Sequence, residues 1–198
     1  ILGFLASVEC KWLFSATMPV EIKRIVDEHL SDNAHRIEIS GRNVVNKNIL
    51  HQFVIADEAE KLAVVLQFLK SRPKERGVIF CKTKVATQKL AKQLIAKNVS
   101  ADAIHGDLKQ KERDKVMRAF KNSQLRLLVA TDLAARGIDI DSLAFVLHYQ
   151  LPDKEEYYTH RSGRTARAGK DGLSMAIVTT REMKQLRYFE KALAIVFT

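Results

Sequence analysis

The stretch GVIFCKTKVATQKLAKQLIAK, residues 77–97, contains the unit that decides the predicted fold. Residues 77–81 are a short apolar run that begins at a glycine, which is typical of a buried strand, and residues 84–97 have the spacing of an amphipathic helix. Another strand is predicted at 99–105. Two strands joined by a helix in this way run parallel and are connected by a right-handed crossover.

The same alternation continues in both directions from this unit. Four further strands are predicted at 51–56, 125–131, 145–150 and 172–180, and three further helices at 60–71, 109–122 and 181–194. Helices that alternate with short apolar strands cover both faces of a parallel sheet. The predicted fold class is therefore α/β, with a mostly parallel β-sheet and helices on both faces.

The first part of the chain fits this alternation less well. It is predicted to contain a strand at 11–17, a helix at 19–30, a strand at 35–40 and a polar linker at 41–49. A segment of this size is too small for a core of its own. We therefore expect residues 1–40 to be the end of a preceding domain, either disordered or paired with another copy of the chain. Residues 50–198 are expected to form the domain predicted above.

The composition points to a polyanionic partner and a reducing compartment. The 198 residues include 33 Lys and Arg against 23 Asp and Glu, which gives a formal net charge of +10. Such a balance is typical of nucleic-acid-binding proteins, although many basic domains bind none. Cys10 and Cys81 lie far apart and in no metal-ligand pattern. We therefore expect both to be reduced thiols, as is usual in cytoplasmic proteins. No apolar run reaches the roughly 18 residues that a membrane span needs.

Polar residues that directly follow the predicted strands are the first candidates for a binding site. In open α/β sheets, ligands bind at the carboxyl ends of the strands. Thr83 and Lys84 follow one strand, Gly106 follows another, and Thr131 ends a third. Glycine allows another backbone to approach closely, and a threonine hydroxyl can bind a phosphate. A helix cap explains Thr83 equally well.

Two further stretches admit a structural and a functional interpretation. Gln110 and Arg113 share a face near a helix start, where a phosphate is attracted by the helix N-terminus, but most such basic faces are only solvated. Asp139 could accept a hydrogen bond from a ribose hydroxyl. The alternative for its region is an ordinary strand exit with Asp132 as a helix cap.

The stretch HRSGRTARAG, residues 160–169, is the sharpest functional signal. It places Arg161, Arg164 and Arg167 three residues apart, with no acidic residue among them. Arginines at this spacing lie close to one face of a helical turn, where like charges repel each other. The planar, permanently charged guanidinium suits a γ-phosphate. A surface turn with scattered arginines is the alternative.

Together these stretches resemble the C-terminal half of DEAD-box ATP-dependent RNA helicases, which belong to helicase superfamily 2. The resemblance runs in the family's order over almost the whole chain, through SATMP (15–19), VIFCKTK (78–84), HGD (105–107) with Gln110 and Arg113, ATDLAARGIDI (130–140) and HRSGRTAR (160–167). It implies a RecA-like fold. Ser162 and Ala166 stand where the family commonly has Ile and Gly.

The resemblance also implies the roles of individual residues. Arg164 and Arg167 would contact the γ-phosphate of ATP, with Arg167 as the arginine finger. Asp139 would hold the ribose. Arg136 would lie at the interface between the two domains. Ser15, Thr17 and His160 would couple the nucleotide state to domain closure. The RNA backbone, bound without sequence specificity, would lie on Thr83, Lys84, Gly106, Gln110, Arg113 and Thr131.

The resemblance implies, finally, what the chain needs from elsewhere. The family's phosphate loop and D-E-A-D box precede SATMP, so ATP with Mg²⁺ would be bound mainly by a first domain that is missing here. The chain alone is therefore expected to be inactive. No metal site is predicted within it. A DNA helicase or translocase lobe of the same superfamily and a non-catalytic nucleic-acid-binding module are the alternatives; His160 disfavours the former and the two arginines disfavour the latter.

Overall fold

The structure, a computed structural model, describes residues 10–15, 18, 20–31, 33–37, 45–135, 143–166 and 169–198. The chain divides into two compact units, Ile1–Arg42 and Asn43–Thr198. The larger unit contains the sheet and all but one of the helices in the described part of the chain.

The smaller unit contains helix α1, Val20–His29, in which none of the residues is buried. The Nζ of Lys11 donates to the carbonyl of His29 at 3.0 Å. The strand predicted at 11–17 is wrong over its described part, since residues 11–15 have no strand conformation and Trp12 and Phe14 are exposed. A strand needs a paired neighbour for its backbone groups, and the described residues of this unit provide none.

The larger unit is built around a six-stranded sheet in which every pair of neighbours runs parallel, in the order β1-β6-β5-β2-β4-β3. The strands are β1 Ile49–Ile55, β2 Gly77–Phe80, β3 Ala101–Ile104, β4 Leu127–Ala130, β5 Phe145–His148 and β6 Gly172–Val178. The helices are α2 Lys61–Ser71, α3 Lys84–Ala96, α4 Gln110–Lys121, α5 Asp132–Ala135, α6 Glu155–Ser162 and α7 Met183–Leu193.

The core lies on both faces of the sheet, because successive strand residues point to opposite faces. Ile79 of β2 packs with residues of α2 and α3, whereas Val78 and Phe80 pack with residues of α4 and α5. Helices α6 and α7 cover β6, through Tyr158 and Phe189 among others. The strands are almost entirely apolar, as parallel strands covered on both sides must be.

The predicted fold class is confirmed. Every strand and helix predicted between residues 50 and 198 is present, with ends that differ by at most two residues. Helices α5 and α6 were not predicted. None of the helices in the described part of the chain has the length and apolar character needed to cross a membrane.

Candidate functional site

Three of the predicted binding segments lie side by side at the carboxyl edge of the sheet. The register aligns Phe80 of β2, Ala130 of β4 and Ile104 of β3 at their last positions. The backbone N–H of Thr131 donates to the carbonyl of Ile104 at 3.3 Å, which extends the alignment beyond the strands. The segments that begin at residues 81, 105 and 131 therefore lie next to one another.

Gly106 is exposed on this edge, and no described residue of the chain requires a glycine there. A Cβ built on Gly106 meets no atom within 4 Å, and the residue is not in the left-handed backbone region. Glycines at Gly77 and Gly172 are different, since a Cβ at either position would clash with Phe145 or Thr165. Open space above Gly106 fits the close approach of another backbone.

Thr83 and Lys84 are both engaged within the chain. Thr83 is the N-cap of α3, and its hydroxyl accepts a hydrogen bond from the backbone N–H of Ala86 at 3.1 Å. The Nζ of Lys84 lies 2.8 Å from a carboxylate oxygen of Asp107, and both side chains are more than half exposed. The hydrogen bond from Lys84 lowers the pKa of Asp107. The predicted helix cap at Thr83 is present. Lys84, predicted to bind a phosphate of the RNA backbone, is paired in this structure with the carboxylate of Asp107.

Gln110 and Arg113 lie in the first turn of α4 but do not converge. The side-chain amide of Gln110 donates to Asp114 on its own helix at 2.7 Å. The guanidinium of Arg113 donates to the carbonyl of Ala134 in α5, which fixes α4 to the segment after β4. The half-buried hydroxyl of Thr131 makes no hydrogen bond within the described residues. Of this group, Arg113 and Thr131 both adjoin α5, since Arg113 binds Ala134 in that helix and Thr131 directly precedes it.

Arg161 fits neither interpretation of the HRSGRTARAG stretch, because it is buried and its guanidinium is bound inside the domain. Its side chain is 1% exposed. Its Nε lies 2.6 Å and its Nη2 2.8 Å from the two carboxylate oxygens of Asp132, and its Nη1 donates to the carbonyl of Gln150 at 2.8 Å. The guanidinium also lies 5.1 Å from the centre of the Phe80 ring. Asp132, predicted only as a helix cap, is thus the counter-ion of a buried arginine.

Helix α6 places the neighbours of Arg161 around a cleft with an empty volume of about 240 Å³, which includes the solvent at its mouth. The cleft is lined by Phe80, Asp132, Ala135, Tyr157, His160, Arg161 and Arg164. Both Asp132 oxygens bind Arg161. Since Arg161 is engaged by Asp132, the donors that the cleft offers to a polyphosphate are the Arg164 guanidinium and the His160 imidazole at its walls.

A buried polar network holds α6 against the sheet. The hydroxyl of Tyr158 lies 2.7 Å from Nδ1 of His51 and 3.1 Å from Oγ of Ser174. Ser174 also lies 2.9 Å from Oγ of Ser162 and 3.0 Å from Nε2 of His148. Burial lowers the pKa of His51 to about 4 and the pKa of His148 well below its ordinary value, and it raises the pKa of Tyr158. All three side chains are therefore neutral at physiological pH.

Four predicted site residues, Thr17, Arg136, Asp139 and Arg167, lie outside the described residues. Ser15 is described and exposed, in the smaller unit. Sequence reasoning missed Arg161 as a structural arginine, along with Asp132 and Gln150 as its partners. No local signal identifies such a pair, because the charges are 29 residues apart. Within the described residues, no group of three His, Cys, Asp or Glu side chains could hold a metal ion.

Comparison with known families matches this architecture. The family described as helicase conserved C-terminal domain matches residues 60–169, more than half of the chain. The chain belongs to this family. The DEAD-box ATP-dependent RNA helicase RhpA of Helicobacter pylori is 38% identical over 191 residues, which are 96% of this chain and 39% of that protein. The helicase CshA of Limosilactobacillus reuteri is 41% identical over 179 residues, 90% of this chain and 36% of that protein.

Solved structures agree with the curated relatives. A DEAD box protein from the hyperthermophile Methanococcus jannaschii is 41% identical, with a TM-score of 0.73 over 93% of this chain and 49% of that one. The S. cerevisiae protein Dbp5, bound to RNA and ADP BeF₃, is 28% identical, with a TM-score of 0.83 over 93% of this chain and 49% of that one. The helicase domain is therefore of the DEAD-box, RecA-like type, as the sequence resemblance implied. The chain spans about two fifths of the length of the curated relatives it matches.

Proposed function

We propose that this chain is the C-terminal part of a DEAD-box ATP-dependent RNA helicase, which unwinds or remodels RNA duplexes by hydrolysing ATP. The observation that carries the proposal is the cleft lined by His160, Arg161 and Arg164, which lies beside the end of β4 in a domain of this family. A polyphosphate site and a nucleic-acid site are thus neighbours on one sheet edge. The relative Dbp5, solved with RNA and ADP BeF₃, supports both ligands.

The division of the chain follows from this proposal. Residues 1–40 are the end of the first RecA-like domain, residues 41–49 the linker, and residues 50–198 the second domain. ATP is bound mainly by the first domain, and Mg²⁺ enters with its phosphates. The two domains close on each other when ATP and RNA bind. The isolated chain has no ATPase activity, and two copies of it can associate through residues 1–40.

On the nucleotide side, the chain contributes positive charge. Arg164 and Arg167 contact the γ-phosphate and stabilise the charge that spreads over the phosphoryl group during transfer, with Arg167 as the arginine finger. Asp139 accepts a hydrogen bond from the ribose, and Arg136 lies at the domain seam. His160, with Ser15 and Thr17 of the first domain, links closure to the nucleotide state.

On the RNA side, the chain contributes a backbone-binding edge. Thr131 has a hydroxyl available within the described residues, and Gly106 leaves open space for a sugar-phosphate chain. Lys84 and Arg113 add charge, while Thr83 and Gln110 flank them at two helix starts. Contacts of these kinds reach phosphates and 2′-hydroxyls rather than base edges, so binding is independent of sequence.

The location that we propose is the cytoplasm. Cys81 is buried at the end of β2, Cys10 is exposed, and neither is in a disulfide. Burial raises the pKa of the Cys81 thiol to about 12. Reduced thiols of this kind are usual in the cytoplasm.

The decisive experiment is Arg167→Ala in the full-length protein. We expect RNA-stimulated kcat to fall by about a thousandfold or more, as for other arginine fingers, with RNA affinity unchanged within about twofold. The exposed Arg181 provides the control, since Arg181→Ala removes the same charge from a residue that does not line the cleft.

Three arms of the experiment test the rest of the proposal. ATP turnover that is stimulated by DNA as well as by RNA would favour a DNA translocase. Normal ATP turnover in the Arg167→Ala variant would show that Arg167 is not the arginine finger. Turnover by the 198-residue chain alone would contradict the need for a first domain.

A further inference from the structure

Arg161 is the centre of a buried polar junction that connects three segments of the sheet edge. Its bidentate ion pair reaches Asp132, the first residue of α5, and its third donor reaches the carbonyl of Gln150 after β5. The side chain of Gln150 in turn accepts a hydrogen bond from the backbone N–H of Lys82, after β2, at 3.0 Å. The junction therefore ties α6 to the ends of three strands, β4, β5 and β2.

The segments joined in this way carry the two proposed binding regions. Asp132 directly follows Thr131, and Lys82 directly precedes Thr83 and Lys84, so both anchors adjoin residues of the RNA edge. Arg161 directly follows His160 and stands one helical turn before Arg164, which both line the nucleotide cleft. Residues of the junction are thus adjacent in sequence to residues of both regions.

The junction is rigid. A bidentate arginine-carboxylate pair fixes the relative orientation of its partners more tightly than a single hydrogen bond does. Burial leaves Arg161 no alternative partner in water, and the Phe80 ring covers one side of the guanidinium. A shift of Thr131 by a bound phosphate must therefore move α6 or break the ion pair.

We infer that Arg161 and Asp132 are positioning residues that couple RNA binding at the sheet edge to ATP turnover in the cleft. The inference rests on the proposed function. The pair touches neither ligand; it makes the end of β4 and the end of α6 move as one body, so that RNA on Thr131 sets the position of His160 and Arg164. The coupling is reciprocal, because ATP in the cleft must raise RNA affinity by the same factor.

The test measures this factor in the full-length protein. Affinity for labelled single-stranded oligouridine is determined with and without ADP, beryllium fluoride and Mg²⁺ as the ATP mimic. Coupling between two sites is typically about 5-fold to 150-fold. In the double variant D132N/R161Q, two amides replace the ion pair without leaving a buried charge uncompensated, and we expect the factor to fall to about 1. RNA affinity without nucleotide is expected to stay within about twofold of wild type.

Two further variants separate coupling from folding. Arg161→Lys retains the charge but has no planar fork, so it should lose most of the coupling. Arg126, directly before β4, is the matched control, since its guanidinium also donates three hydrogen bonds inside the domain, to the carbonyls of Leu69, Arg72 and Glu75. Arg126→Gln is expected to lower the melting temperature and to leave the coupling factor unchanged.

The outcomes are distinguishable. A folded D132N/R161Q protein that retains the wild-type coupling factor overturns the inference, as does an Arg126→Gln variant that loses it to the same extent. If wild-type protein shows neither RNA-stimulated turnover nor nucleotide-dependent RNA binding, the proposed function fails instead. Loss of coupling in both Arg161 variants, with Arg126→Gln unaffected, supports the positioning role.

Discussion

The glycines of this domain differ in the space around them. Some lie where the fold leaves no room for a side chain, whereas Gly106 lies in open space. A Cβ at Gly77 would enter the ring of Phe145, and a Cβ at Gly172 would enter the side chain of Thr165, so the fold itself requires glycine at both positions. Gly106 has neither a close neighbour nor a left-handed backbone. The proposed RNA edge offers a reason for a glycine at this position, since an RNA backbone would approach it closely.

Gly106→Ala should consequently separate stability from binding. The free energy of unfolding is expected to stay within about 0.5 kcal/mol of wild type, as for other surface substitutions. RNA affinity is expected to fall about tenfold, which corresponds to about 1.4 kcal/mol, because the added methyl group occupies the space proposed for the RNA backbone. Chemical denaturation and titration with oligouridine measure the two quantities.

A second variant makes this result interpretable. Gly172→Ala should show the opposite behaviour, with a loss of stability of about 1–3 kcal/mol from overpacking. Unchanged RNA affinity in a folded Gly106→Ala protein would contradict the assignment of Gly106 to the RNA edge.

At the scale of elements, the sequence predicted the strands and most helices of the larger unit because their apolar spacing is local. Helix α6 was not predicted, although its buried residues Tyr158, Arg161 and Ser162 have helical spacing. Two of the three are polar, so the stripe that identifies a buried helix face is absent. Their burial depends on partners such as Asp132 and Ser174. These partners come from other elements, which local periodicity cannot identify.

The segments after β2 and β3 are bridged by the exposed ion pair between Lys84 and Asp107. RNA that binds Lys84 must displace this carboxylate, which the lysine holds ionised by lowering its pKa. Asp107→Asn should therefore raise RNA affinity about threefold at low salt, a modest gain because exposed ion pairs are weak. The dependence of affinity on salt should steepen, because one more phosphate is neutralised.

Lys84→Ala is the matched control for this prediction. It should lower RNA affinity, and adding Asp107→Asn to it should then have little further effect. An Asp107→Asn variant that binds RNA no better than wild type at low salt would show that Lys84 does not meet a phosphate.

At the scale of the whole molecule, the sequence predicted a parallel sheet covered on both faces but not its strand order. The alternation of strands and helices leaves open whether β2 lies beside β3 or, as observed, between β4 and β5. That order brings Thr131 between the segments of Thr83 and Gly106 and places α6 beside the end of β4. The juxtaposition of the two proposed binding regions thus depends on long-range strand pairing, whereas short motifs were enough to predict which residues would form them.

The buried histidines make the stability of the whole domain depend on pH. Burial lowers the pKa of His51 to about 4 in the folded state, against about 6.5 in an unfolded chain. Between these values the unfolded chain binds more protons, so the free energy of unfolding falls as the pH is lowered through this window. His148, whose pKa is lowered in the same direction, adds to the effect.

His51→Gln should remove the contribution of His51 to the pH dependence of the free energy of unfolding. In wild-type protein, His51 alone accounts for a loss of about 2 kcal/mol between about pH 7 and about pH 5. Urea denaturation of the 198-residue chain at both pH values should show a pH-dependent loss that is smaller by this amount in the variant. Ser174→Ala, which weakens the same network without removing a titratable group, is expected to lower stability about equally at both values. A wild-type pH dependence in the His51→Gln variant would mean that His51 is not held neutral by its burial against Tyr158.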